Sequence, residues 1–165
     1  MVTISHTKLA LRDMRPEEAG QVAAMVARLA SDIGATLTPK ITGDRLIEAR
    51  DLVDILVAVE DRRLLGAILT LMTFSTWRGT RGMYVVDLFV EGVSRNRGIG
   101  AALLREAARR ATKRGARFIK LEADHGNGGA ARFYRRLGFR EKQKDRLFIL
   151  EQERLEEFIA EKEGS

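Results

Sequence analysis

The chain has no cysteine, only two prolines and no long apolar run, and each shortage removes a class of protein. Without cysteine there are neither disulfides nor thiolate metal sites, and secretion gains no support. Pro16 and Pro39 stand apart, and no Ser, Gln or Gly tract reads as a linker or low-complexity segment. The longest apolar run, Leu64 to Met72, is broken by Gly66 and Thr70 and falls far short of the roughly 30 Å of a bilayer core. Met1 to Ala10 lacks an apolar core long enough for a signal peptide. These absences lead to the expectation of a soluble cytoplasmic protein with no membrane partner. With 165 residues, 45% of them hydrophobic, one domain over 1–165 is expected.

Charge is more telling by segment than in total. Between Arg95 and Arg146 there are 16 Lys or Arg against 5 Asp or Glu, a net of +11, so the remainder of the +6 chain carries −5. Arg105, Arg109 and Lys113 recur at the four-residue spacing of a solvated helix face. The other reading is a surface for a polyanion, either a phosphorylated cofactor or nucleic acid. Nucleic-acid modules interleave aromatics with their basic patches for stacking, and Arg105 to Arg117 contains none, so no nucleic-acid partner is expected.

Hydrophobic periodicity predicts the elements. Lys8 to Arg12 reads as a strand, and Pro16 opens a helical run over Glu17 to Ala30 with Val22, Met25, Val26 and Leu29 on one face. A short helix follows over Gly43 to Arg50. Leu52 to Glu60 and Leu64 to Phe74 form two antiparallel strands around Asp61-Arg62-Arg63, and Met83 to Val90 is the next strand. Gly98 to Arg114 carries a helical stripe ended by Gly115, Arg117 to Ala123 is a strand, and Asn127 can cap a helix that stops at Gly138. Phe139 to Leu150 allows a final hairpin and Glu151 to Lys162 a terminal helix. The class is α/β with a mixed sheet.

A strand ending before Arg95-Asn96-Arg97-Gly98-Ile99-Gly100, with a helix starting at the glycines, gathers unpaired backbone N–H groups around one concavity, which suits an anion. Such a string alone is weak evidence. A dinucleotide fingerprint would need Gly or Ala where Leu103 stands, and a nucleotide P-loop would need a Gly-Lys-Ser/Thr ending that is absent. A diphosphate held by backbone N–H groups and flanking arginines remains.

At this point the chain resembles the GNAT N-acetyltransferases. Their pyrophosphate motif, Arg or Gln, two residues, Gly, one residue, then Gly or Ala, is matched by Arg95, Gly98 and Gly100. A second motif, N-x-x-A-x-x-F-Y-x-x-x-G-F, is matched by Asn127, Ala130, Phe133, Tyr134, Gly138 and Phe139. Within that superfamily the likeness is to the diamine (spermidine/spermine) N-acetyltransferases. It includes Trp77-Arg78-Gly79, the strand Tyr84 to Val90 and the ending Arg146 to Leu150, and it is strong over about Phe74 to Lys162. The resemblance implies a twisted, mostly antiparallel mixed sheet flanked by helices, acetyl-CoA as co-substrate without a metal, a small-molecule amine as acceptor, and a homodimer. Acceptors in which the amine belongs to a protein or peptide are the alternative, and a non-catalytic acyl-CoA or nucleic-acid binder is the reading from a different class.

The resemblance also assigns roles. The diphosphate would be held by the loop Arg95, Asn96, Arg97, Gly98, Ile99, Gly100 and Ala101, and the pantetheine arm would pair with the backbone of Leu88, Phe89 and Val90. Asn127, Ala130, Phe133 and Tyr134 would complete the cofactor site. The developing oxyanion would find a backbone N–H in the Leu88 to Val90 region. The Tyr134 hydroxyl would protonate the departing thiolate, although a merely packed aromatic is the other reading of that residue. Asp87 matches a family carboxylate and is the candidate substrate base, with Glu122, Asp124 and His125 behind it; pairing at the strand end is its other reading. Trp77 either lines the acceptor pocket or packs as a strand-end aromatic. The diamine enzymes carry Glu where this chain has Val86, and an acidic residue where it has Ser75, so polycation attraction is reduced.

Overall fold

The computed structural model describes residues 8–143 and 145–160. The first two turns of the chain's logic are local. Strand β1 (Ala10–Asp13) is followed by a 3-10 turn at Pro16–Glu18 and helix α1 (Ala19–Asp32). Proline at the first helical position loses no hydrogen bond that the helix would have made, and the Glu18 carboxylate accepts from the Arg15 N–H at 2.8 Å. Helix α2 (Gly43–Glu48) starts at Thr42, whose hydroxyl accepts from the Arg45 N–H at 3.3 Å.

Strands β2 (Asp54–Glu60) and β3 (Arg63–Ser75) form the expected hairpin. Its two-residue turn puts both Asp61 and Arg62 at positive φ, 50° and 64°, as the twist of adjoining strands requires. Strand β4 (Thr80–Val90) returns antiparallel to β3, helix α3 (Ile99–Lys113) crosses over, and β5 (Ala116–Leu121) joins β4 in parallel. The order is β1-β2-β3-β4-β5, a mixed and mostly antiparallel sheet. Helix α4 (Gly128–Arg136) and helix α5 (Gln152–Ala160) complete the described elements.

The sheet is covered on both faces. Val22 and Met25 of α1 and Leu46 of α2 bury themselves against Ile55, Val57, Ala67, Leu69 and Phe89. Helix α3 covers the other face with Ile99, Leu103, Leu104, Ala107 and Ala111, while Arg105, Arg109 and Lys113 point to solvent as the four-residue spacing predicts. Close approach replaces side-chain packing at Gly82, where a Cβ would lie 2.3 Å from the Phe118 ring.

The chain divides into two compact units, Met1–Ala131 and Arg132–Ser165. Within the second, the expected hairpin over Phe139 to Leu150 is not found: no described residue there is in a strand, and Leu147, Phe148 and Ile149 are exposed. An isolated two-stranded hairpin is marginal in water, and the charged Lys142, Asp145 and Arg146 around its middle offer no apolar face to hold it. The end of the expected terminal helix, Glu161 and Lys162, lies outside the described residues. No described helix is long and apolar enough to cross a membrane.

Candidate active site

Strand β4 is the element around which the candidate site is built. It pairs with β3 along its whole length, from Ser75↔Thr80 to Gly66↔Val90. Its parallel pairing with β5 stops at Val85↔Leu121. Strand β5 ends there, and among the described residues no strand pairs with 86–90 on that side. An unpaired strand edge is where an amide-rich ligand can add as a further strand.

The second feature of β4 is a bulge. Leu69 opposes Asp87 and the next residue of β3, Thr70, opposes Val85, which leaves Val86 as an extra residue. Side chains directly opposite one another share a face, and one inserted residue reverses the alternation. Val85 therefore lies on the α3 face with Thr70, whereas Asp87 lies with Leu69 and Phe89 on the face covered by α1 and α2. Half-buried there, the Asp87 carboxyl is pushed by loss of hydration from its ordinary 3.8 to about 6.

Tyr84 opposes Leu71 and stands on that same face. Burial raises its phenol pKa, and the negative charges of Glu122 and Asp87 raise it further. Sequence reading missed Tyr84 because strict alternation puts residues three apart on opposite faces; only the bulge makes Tyr84 and Asp87 neighbours. Of the other candidate bases, Asp124 is engaged in its own turn. Its Oδ1 accepts from the Gly126 N–H at 2.7 Å and its carbonyl from the Asn127 N–H at 2.9 Å. His125 is exposed. Among the described residues no group of His, Asp and Glu is placed to hold a metal ion.

The glycine loop follows a 3-10 turn at Gly92–Ser94. Asn96 and Gly98 both take left-handed conformations, with φ of 64° and 75°. At Gly98, the N-cap of α3, the position of a Cβ faces open space, so glycine is required by the backbone angle and the approach above it is clear. Ala102 is the residue whose N–H closes the first helical turn, on Gly98 O at 3.0 Å. The N–H groups ahead of it, at Ile99 to Ala101, stand at the helix start where the dipole favours an anion. Ile99 anchors this turn with its side chain buried.

The loop's arginines are engaged by carboxylates. Arg95 donates from Nη2 to Asp32 Oδ2 at 2.5 Å and from Nε to Val90 O at 3.2 Å. Arg97 Nη2 reaches both carboxylate oxygens of Glu60, at 2.8 and 3.1 Å.

Trp77 sits in the turn between β3 and β4 and is 99% exposed, which removes its reading as a core aromatic. In the second motif, Asn127 Oδ1 accepts from the Ala130 N–H at 3.0 Å and caps α4. Asn127→Ala is expected to destabilise the chain by about 1 kcal/mol, while Asn127→Asp, which keeps the acceptor, stays close to wild type. An unchanged denaturation midpoint in the alanine variant would contradict the cap. In the second unit the Tyr134 ring makes edge-on contacts with Phe133 at 5.0 Å and Phe139 at 5.5 Å.

An unpaired stretch of β4 thus leads through a left-handed glycine turn to the start of α3. The acetyltransferase (GNAT) family model matches residues 29–139, and the chain belongs to that family. Over 57 residues it is 47% identical to an uncharacterised N-acetyltransferase of Methanocaldococcus jannaschii; the match covers 34% of this chain and 25% of that protein's length. Its fold is shared by an integron cassette protein from the mobile metagenome of V. cholerae, with a TM-score of 0.74 and 20% identity over 93% of this chain and 98% of the other. An aminoglycoside acetyltransferase from an uncultured soil metagenomic sample, solved in complex with sisomicin, has a TM-score of 0.71 at 15% identity, covering 87% and 97% of the two chains.

Proposed function

We propose that this chain transfers the acetyl group of acetyl-CoA to a primary amine of a small molecule by direct attack of the amine on the thioester. The observation that supports this reading best is the β4 edge beyond Val85, unpaired on the β5 side and leading into the Gly98 turn. Acetyl-CoA is the co-substrate used by proteins of this family, and it would supply an activated acyl group with a thiolate leaving group. The residues suit its parts: backbone N–H groups at the start of α3 for the diphosphate, and the unpaired edge at Leu88 to Val90 for the amides of the arm.

The remaining steps belong to side chains and backbone of this chain. Asp87 accepts a proton from the acceptor ammonium, freeing its lone pair to form the N–C bond. A backbone N–H between Leu88 and Val90 stabilises the charge developing on the carbonyl oxygen. By its place in the second motif, Tyr134 donates its proton as the C–S bond breaks: a phenol near ~10 still carries its proton at neutral pH, and the phenolate left behind, more basic than a thiolate of a thiol near ~8.5, is re-protonated from water.

For the acceptor, the likeness to diamine enzymes over Phe74 to Lys162 argues for a diamine-like or amino-acid-like amine. Val86 and Ser75, in place of two acidic residues, argue against a long polycation. The fold neighbour bound to sisomicin adds an aminoglycoside to the acceptors worth testing. The experiment is release of free CoA thiol from acetyl-CoA with diamines, amino acids and aminoglycosides in parallel. Turnover with one small class is expected. A chain that binds CoA yet releases none with any amine would overturn the catalytic reading.

A further inference from the structure

Helix α1 and the loop after β4 are laced by two ion pairs of opposite polarity. Arg28 pairs with Glu91, and Asp32, one turn further along α1, pairs with Arg95, four residues further along the loop. The pattern fixes one alignment, because sliding either element by a turn would set like charges together. Each arginine also has a second hold: the Arg28 guanidinium lies 5.8 Å from the centre of the Phe89 ring, and Arg95 Nε donates to Val90 O. A carboxylate at Asp32, the last residue of α1, opposes the helix dipole, so the helix alone gains nothing from it. Exposed pairs of this kind contribute little to stability in any case.

We infer that Asp32 and Glu91 are positioning residues which, through Arg95 and Arg28, clasp the diphosphate loop to α1, and that Arg95 serves this clasp rather than the phosphates. The inference rests on the acetyl-CoA reading above. Both guanidinium arms of Arg95 that form bonds are directed at Val90 and Asp32, leaving the anion to the backbone N–H groups at the start of α3. The cradle is then set before the ligand arrives, and a preformed site loses less freedom on binding.

The sign of one effect separates the clasp from simple electrostatics. If Arg95 were a phosphate ligand restrained by Asp32, Asp32→Asn would release it, remove a nearby negative charge and tighten CoA binding. The clasp gives the reverse: CoA binding measured by calorimetry weakens about fivefold, KM for acetyl-CoA rises while KM for the amine does not, and the thermal midpoint stays unchanged. Asp32→Asn placed in an Arg95→Gln background is expected to add no further loss, since Asp32 acts only through Arg95. Equal or tighter binding by Asp32→Asn overturns the clasp, as does full additivity in the double variant. A wild-type chain that binds no CoA overturns the acetyl-CoA reading itself, a result distinct from either.

Discussion

Asp87→Asn is expected to lower kcat/KM by about 10²- to 10⁴-fold, the range over which a positioned general base acts, while making the folded chain more stable at pH 7. Both effects come from one feature. The bulge at Val86 turns the Asp87 carboxyl onto a covered face of the sheet, where lost hydration lifts its pKa from 3.8 to about 6. Between those values the folded chain holds a proton that the unfolded chain has already released. The contribution of Asp87 to stability therefore falls as pH rises from about 4 to about 6, by on the order of 3 kcal/mol, and is constant above. Asparagine carries no such charge, so the variant lacks this decline. In the wild type, kcat/KM is expected to rise tenfold per pH unit below about 6 and to level off beyond it; the variant loses that inflection. A variant with wild-type kcat/KM and the same inflection would exclude Asp87 as the base.

Tyr134→Phe is expected to reduce kcat by about 100-fold with acetyl-CoA affinity changed by no more than about twofold. The substitution keeps the ring, and with it the edge-on contacts to Phe133 and Phe139. What it removes is the phenolic proton. Without it the thiolate must leave unprotonated or take a proton from water, a penalty felt in the chemical step rather than in binding. A rate equal to wild type in single-turnover experiments would return Tyr134 to the role of a packed aromatic.

The helices and the hairpin were legible in the sequence because their signals are local. The stripe of Ile99, Leu103, Leu104, Ala107 and Ala111 is the buried face of α3, and Gly115 ends that helix region at a φ of 98°. Asn127 caps α4 as its residue type suggests. Two apolar runs around Asp61 and Arg62 suffice for β2 and β3. The reading of Phe139 to Leu150 as a hairpin failed because alternation is a necessary pattern for strands but supplies no pairing partner. The arrangement around Asp87 was illegible for a related reason. A bulge is defined by what lies on the neighbouring strand, so nothing within Tyr84 to Val90 reveals that Asp87 changes face or that Tyr84 becomes its neighbour. The pairing of Arg95 with Asp32 joins residues 63 positions apart, beyond any spacing rule.

Val86 itself gains an unusual freedom from its position. It has no residue opposite it on β3, and 41% of its surface is open. Most strand positions are constrained by the side chain across from them, so altering one disturbs its pair. The inserted position is released from that constraint while standing directly beside the candidate base. It is a site at which acceptor preference can diverge between relatives without a matching change elsewhere in the sheet, and a valine there is as compatible with the architecture as a carboxylate.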